Sequence, residues 1–296
     1  MIQIYSNSLG KEELNAIEKV FDSKWLGKGP KTDEFIKNFS SKLITENAFG
    51  VAFANSSPKN LTTVSCCTEG IFQILDLIDL QPNDEVILPS ISFVGVGNAI
   101  MYKNAKPVFC DVDKHTLNPT VDHIKEKITN KTKAVIVIHY AGVPCDIKNI
   151  TKLCKEKSIT LIEDNANSPF SIYNGKSTGT IGNFGTWSFD SMKIMSMGDG
   201  GLIYAKNIDD IQSLNKNTYL GLLTDSGYSN DMHTKWWEYD ISNPGRRSVI
   251  NDISAAIGLE QLKKVDNFIQ KRKTIHDYYT MHLSDQPWLK LPLPIP

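Results

Sequence analysis

The sequence predicts an α/β fold: a mostly parallel central sheet with helices on both faces, plus a small second domain. Two observations predict it. Between about residues 60 and 205, short continuous apolar runs alternate with segments of helical period, the pattern of strands buried on both faces and separated by crossover helices. One of those runs, Leu161-Ile162-Glu163-Asp164, ends in two carboxylates. Ligands of such sheets bind beyond the carboxyl ends of the strands.

Taken in order, residues 11–23 and 32–45 read as amphipathic helices. Thr68 is placed as the N-cap of a helix whose Ile71, Ile74, Leu75 and Ile78 share one face. Glu85-Val86-Ile87-Leu88 is a strand ended by Pro89. Pro107 to Val112 is a second, and the β-branched run Ala134 to Ile138 is a third. Ile147, Ile150 and Cys154 line a helix before the fourth strand, Thr160 to Asp164. Gly185 to Phe189 and Gly201 to Ala205 add two more. The polar segment 207–245, with Trp236-Trp237 and Pro244-Gly245, reads as an irregular excursion. A long helix from near Asp252 carries Ile253, Ile257, Leu262, Val265 and Ile269 on one side, and the chain stops in the proline-rich Leu291 to Pro296.

Composition excludes several classes. The 296 residues are 41% hydrophobic and 22% charged, with a net charge of −1, so there is no electrostatic footprint for nucleic acid or an anionic membrane. No apolar run approaches the roughly 20 residues of a membrane-spanning helix, and Met1 to Ser6 lacks the basic-then-apolar start of a signal peptide. Five cysteines without CxxC spacing argue against a disulfide framework or a zinc site and for free thiols in a reducing cytoplasm.

Lys193 carries the chemical argument. It lies in Ser188-Phe189-Asp190-Ser191-Met192-Lys193, just before Gly198-Asp199-Gly200-Gly201. Alone it reads equally as a solvated loop lysine. Paired with the strand-end Asp164 it meets the needs of pyridoxal phosphate chemistry. The amine holds the cofactor as a Schiff base, and the carboxylate keeps the pyridine nitrogen protonated. Glu163 faces the opposite side of the strand by the two-residue period and reads as structural. His139, after the third strand, reads as a satisfied structural histidine.

These segments together resemble the DegT/StrS family of sugar aminotransferases, which are fold type I pyridoxal-phosphate enzymes. The likeness runs from Trp25-Leu26-Gly27-Lys28-Gly29 through Asn83 to Ser90, Ala105 to Asp113, Glu163-Asp164 and the Lys193 stretch, to Asn251-Asp252-Ile253-Ser254-Ala255-Ala256. The resemblance implies a cofactor domain over 25–245 and a small-domain portion from 1–24 and 246–296. Members of the family continue well past the residue matching Pro296, so either the C-terminus is incomplete or the small domain is reduced.

Residue by residue, the resemblance makes Lys193 the Schiff-base lysine and proton carrier, and Asp164 the partner of the ring nitrogen. Cys67-Thr68 falls on a Gly-Thr pair opening a helix at the phosphate, with Cys67 a departure from the glycine. The plain alternative is an N-cap. Ser188 matches a phosphate-binding hydroxyl. Phe93 matches the ring that stacks on the cofactor, though by itself it reads as a core phenylalanine. Asn167 replaces a Gln or His that contacts the ring hydroxyl. Asp190 stands where many members have an aromatic residue or histidine, beside the reactive lysine. Arg247 stands where the family often has an asparagine reaching the phosphate of the neighbouring subunit; otherwise it is a solvated surface arginine.

The implied activity is transfer of an amino group from glutamate to a keto group of a nucleotide-linked sugar, for surface polysaccharide or glycan precursors. The enzyme would be a cytoplasmic homodimer with its site at the interface. Two alternatives stand beside it. One is a ketosugar dehydratase, which Lys193 opposes because that branch carries histidine there. The other is a non-catalytic, regulatory cofactor-binding protein. Nothing in these residues identifies the sugar, the nucleotide or the carbon position.

Overall fold

A computed structural model describes residues 6–46, 52–54, 58–222 and 240–291. Trp236-Trp237 and the proline-rich end lie outside these residues. Two helices open the chain, α1 (Lys11–Asp22) and α2 (Pro30–Ser41), followed by a small antiparallel pair, β1 (Ile44–Glu46) and β2 (Ala52–Ala54). The main body follows as β3 (Leu61–Val64), α3 (Cys67–Leu77), β4 (Glu85–Pro89), α4 (Val94–Tyr102), β5 (Lys106–Cys110), α5 (Val121–Lys125), β6 (Thr132–Ile138), α6 (Ile147–Glu156) and β7 (Thr160–Asp164). A short hairpin, β8 (Ile172–Tyr173) and β9 (Lys176–Ser177), precedes β10 (Phe184–Ser188), β11 (Gly201–Ala205), α7 (Ile208–Asn217) and the long α8 (Asp252–Leu283).

The seven-stranded sheet has the order β3-β11-β10-β7-β6-β4-β5. Strands β10, β7, β6, β4 and β5 run parallel, and β11 is antiparallel to both its neighbours. The mostly parallel sheet is therefore as expected. The edge strand β3 was not anticipated, because Leu61–Val64 is only four residues long, too short to show a period. Its β-branched Thr62, Thr63 and Val64 are all buried.

Three further expectations are corrected. The segment after residue 207 is not wholly irregular. Asn207 caps α7 by accepting the Asp209 N–H, and Ile211 and Leu214 bury one face of it. Thr68 is not the N-cap of α3. That position is Cys66, whose Sγ accepts the Glu69 N–H at 3.4 Å, so Thr68 sits inside the first turn. Finally, α8 buries Ala255, Leu259, Leu262 and Val265, whereas Ile253 and Ile257 are only half-buried and Ile269 is exposed. The helix packs through small residues: a Cβ at Gly258 would fall 2.7 Å from Met197 Sδ and 2.9 Å from the Phe35 ring.

Two cores flank the sheet around the helices that matter for the site. On one side α3 and α4 pack Ile71, Ile74, Val96 and Ile100 onto β4, β7 and β11. On another, Phe35 and Phe39 of α2 meet Trp187, Phe189 and Met197, with α8 closing the cluster. Phe35 meets Phe189 edge-on at 5.3 Å and Phe39 meets Trp187 at 5.6 Å, geometries that add to simple burial. This aromatic block lies directly under the segment carrying Lys193.

Candidate active site

The site is built at the carboxyl ends of β4, β7 and β10, as open α/β sheets dictate. Asp164 ends β7 and is buried, at 2% exposure. Its Oδ1 accepts the Ala166 N–H at 2.9 Å and lies 3.9 Å from the Cys67 thiol. Among the described residues, Oδ2 takes no hydrogen bond. Burial pushes the carboxyl above its usual range, against the opposing pull of the Ala166 N–H and the Lys193 ammonium. Lys193 thus acts electrostatically on Asp164, and on Cys67 as well.

Lys193 is half-buried on a closed loop between β10 and β11. Phe189 N–H donates to Gly200 O and Met197 N–H to Phe189 O, both at 2.9 Å. Gly198, at φ +85°, takes a turn that a side chain would strain. Asp190 folds the tip: its Oδ1 accepts the Met192 N–H at 2.8 Å and its carbonyl accepts the Lys193 N–H at 2.9 Å. That local turn accounts for the carboxylate beside the lysine.

Cys67 and Thr68 open α3, a helix of 11 residues whose N-terminus faces the same end of the sheet. The approach is close because Gly201 has no side chain: a Cβ there would lie 2.7 Å from Cys67 N and from Cys66 C. The Cys67 side chain points inward, 3.3 Å from Thr186 Oγ1. Burial, then the Asp164 charge, push its thiol well up, so it stays protonated as a donor. Gly95 permits a second close approach. A Cβ there would fall 2.9 Å from Thr68 Oγ1 and 3.0 Å from Phe93 Cδ1, so Thr68 and Phe93 are neighbours. Phe93 precedes α4 and is 63% exposed, which excludes its reading as a core residue.

Ser188 ends β10, half-buried, with its Oγ accepting the Asp190 N–H at 3.4 Å. Asn167 is half-buried just past β7. Arg247 belongs to a segment that runs beside the start of α3, where the Ser65 N–H donates to the Ser248 carbonyl. It is exposed, bridges to Tyr219 in the backbone, and holds its guanidinium 5.4 Å over the Tyr219 ring. Its neighbour Arg246 is tied to α3 instead, donating to Glu69 Oε1 at 2.8 Å and lying 3.0 Å from Asp76 Oδ2.

Glu163 turns away from the side of Asp164, as the strand period implied, and His139 is a satisfied buried histidine. Glu163 is fully buried and accepts three backbone N–H groups, from Gly179, Ile181 and Gly182. His139 Nε2 lies 3.0 Å from Glu163 Oε2, and its Nδ1 accepts the Cys145 N–H. An Nδ1 that accepts leaves the ring proton on Nε2, so the imidazole is neutral. Sequence reasoning missed the loop 179–182, where only the glycine pair gives a signal. It also missed that Asp252 caps α2 from a distance, accepting the N–H groups of Lys31 and Thr32.

The fold and this carboxyl-end constellation define a fold type I transferase. The chain belongs to the DegT/DnrJ/EryC1/StrS aminotransferase family, whose model matches residues 7–294. It is 41% identical over 297 aligned positions to a dTDP-4-dehydro-2,3,6-trideoxy-D-glucose 4-aminotransferase of Saccharopolyspora spinosa, covering 100% of this chain and 74% of that protein. The aminotransferase TlmJ from Streptoalloteichus hindustanus superposes with a TM-score of 0.90 at 42% identity, over 100% of this chain and 75% of that one. A putative sugar aminotransferase, Spr1654 from Streptococcus pneumoniae, in its PLP-form, shares the fold at 24% identity and a TM-score of 0.82, over 96% of this chain and 72% of that one. The five cysteines are free, and no helix among the described residues is long and apolar enough to cross a membrane.

Proposed function

We propose that this protein is a pyridoxal-phosphate-dependent aminotransferase that moves an amino group from glutamate to a keto group of a nucleotide-linked sugar, as a cytoplasmic homodimer supplying glycan precursors. The observation that carries the reading is Asp164: a buried carboxylate with one oxygen open, within electrostatic reach of a loop lysine. A buried, incompletely satisfied carboxylate is costly unless a ligand completes it. The N–H of a pyridinium would do so at Oδ2.

The other residues fit the same group. The exposed Phe93 ring offers a flat face beside Thr68, and the first turn of α3 with the Thr68 and Ser188 hydroxyls offers donors to a phosphate. Asn167, half-buried just past β7, would meet the ring hydroxyl. Bound pyridoxal phosphate supplies an electron sink that lets the α-proton of an amino acid leave and return. Lys193 Nζ would tether the group and would hold the α-proton of the donor when it leaves carbon. Asp164 would hold the ring nitrogen charged, with the Cys67 thiol 3.9 Å from its Oδ1. Arg247, with its guanidinium over the Tyr219 ring, supplies a charge to the phosphate of the partner subunit.

The test is direct. Protein loaded with pyridoxal phosphate absorbs near the visible edge, and borohydride fixes the group to the peptide bearing Lys193, read by mass spectrometry. Glutamate then bleaches the colour, and a nucleotide ketosugar from a panel restores it. A protein that takes up no cofactor, or carries it on another lysine, overturns the reading. Retained colour that glutamate leaves unchanged points to the non-catalytic alternative. Mixed dimers of Arg247→Ala and Lys193→Ala subunits test the shared site, since one intact site is restored only if Arg247 acts across the interface.

A further inference from the structure

We propose that Asp190 is a positioning residue: its side-chain oxygen fixes the turn that carries Lys193, and so sets the lysine against Ser188 before any cofactor arrives. The proposal deepens the reading of Lys193 and Ser188 given above and rests on it. It gives a role to a position where the chain departs from the aromatic residue or histidine of many family members.

The loop is anchored at its two ends and bare at its tip. Phe189 is fully buried and meets the Phe35 and Phe39 rings edge-on at 5.3 and 5.6 Å. Met195 and Met197 are buried in the same cluster, and the Met197 N–H closes on the Phe189 carbonyl at 2.9 Å. Between these anchors the chain comes to the surface. Ser191 and Met192 are exposed, and Lys193 and Ile194 are half-buried. A stretch with so little packing keeps its chain entropy unless its own bonds order it.

Asp190 supplies those bonds. Its N–H donates to Ser188 Oγ at 3.4 Å, its carbonyl accepts the Lys193 N–H at 2.9 Å, and its Oδ1 accepts the Met192 N–H at 2.8 Å. Among the described residues, no other side chain bonds the backbone between Ser191 and Ile194. The hydroxyl assigned to the phosphate and the lysine assigned to the Schiff base therefore share one turn, with Asp190 between them. Asp and Asn favour this position because the side-chain oxygen reaches the N–H two residues on. A phenyl ring offers no such acceptor. The turn needs the acceptor and not the charge, so Asn serves where Ala does not. A lysine whose backbone is already ordered meets the cofactor without first losing that freedom.

The experiment compares wild type, Asp190→Ala and Asp190→Asn in two ways. One is deuterium uptake by the peptide spanning residues 190–194 of the cofactor-free protein. The other is the rate at which added pyridoxal phosphate becomes fixable by borohydride on Lys193. Asp190→Ala is expected to exchange faster and to capture the cofactor more slowly, each by about three- to tenfold, for the loss of one hydrogen bond. Asp190→Asn is expected to stay within about twofold of wild type in both. Exchange or capture in Asp190→Ala equal to wild type overturns the positioning role and leaves the aminotransferase reading intact. An Asp190→Asn protein that behaves like Asp190→Ala also overturns it, since the charge would then be what matters. So does a raised KM for the nucleotide ketosugar in both variants with exchange and capture unchanged, which makes Asp190 a substrate contact. Failure of the wild type itself to capture cofactor on Lys193 overturns the aminotransferase reading, and it shows before any variant is compared. Should Asp190→Ala fold poorly, Asp190→Leu, which also lacks an acceptor, takes its place.

Discussion

Glu163 and Asp164 are consecutive carboxylates at the end of one strand, both buried, and they have opposite fates. Glu163 turns to a region that satisfies it completely: three backbone N–H groups and a neutral imidazole. Asp164 turns to a region that leaves it short, with one N–H, a distant thiol and an unengaged oxygen. The same residue chemistry at the same depth serves structure on one face and, on the function proposed above, reaction on the other. The difference lies in how many donors the surrounding loops provide. A carboxylate with a full set of donors has nothing left to offer a ligand.

The sharpest way to break this comparison is Asp164→Asn. It is expected to lower amino transfer by about 10²- to 10³-fold or more, since the amide cannot hold the ring nitrogen charged. The cofactor-free protein should behave oppositely. Because burial raises the Asp164 carboxyl, the folded state disfavours its ionised form. That contribution to stability is present below the carboxyl's unfolded range and is lost as pH rises through the raised one. Apo Asp164→Asn is thus expected to be more stable than wild type at neutral pH, by about 1 kcal/mol, with the gap closing in acid. Urea midpoints of both proteins across pH check it, and an unchanged or lower midpoint for the variant at neutral pH would sink the argument.

Glu163→Gln is the mirror test. Removing the charge from a site with three N–H donors and an imidazole is expected to cost about 3 kcal/mol of stability. Protein that remains folded should keep cofactor binding and most of its activity. A variant of normal stability that had lost activity would reverse the roles assigned to the two carboxylates.

Cys67→Gly, which restores the family's residue, is expected to have a smaller effect. It removes a buried thiol from Thr186 and Asp164 and places glycine in a helical first turn, for about 1–2 kcal/mol of stability. Transamination should persist within a few-fold, and the pH dependence of the cofactor's absorption should shift as Asp164 loses its thiol donor. The smallest effect belongs far from the site. Burial pushes Glu13 up, but the Lys264 ammonium, the Gln261 amide and the Gly10 N–H outweigh it and hold the carboxyl below its usual range. Its contribution is present at neutral pH and fades as pH falls through that lowered range. Glu13→Gln should therefore cost about 1 kcal/mol at neutral pH and nothing in strong acid, read as a difference in urea midpoints.

Much of this was legible in the chain itself. The continuous runs at β6 and β7 gave strands with nearly the observed bounds, because burial on both faces leaves no polar residue to blur them. The placement of Asp164 at a strand end and of Lys193 in a glycine-rich loop was legible because charged residues there are poor choices for packing. The face of α3 was legible from its period, whereas its cap was not. A cysteine is an uncommon cap, and Thr68 two positions on is a better one by propensity. The helix α7 was masked by its polar surface.

Local sequence determined the fold class, the order of the elements and the candidates for chemistry, since each rests on interactions within a few residues: period, cap and turn. It could not determine which buried carboxylate would be satisfied, because the donors to Glu163 come from residues 179–182 and its histidine from the residue after β6. Nor could it show that Phe93 stays exposed beside Thr68, or that Asp252 caps α2 from a distance. Those outcomes depend on contacts across as many as 221 positions of sequence, which exist only once the sheet has set its strand order and brought the helix N-termini to one edge.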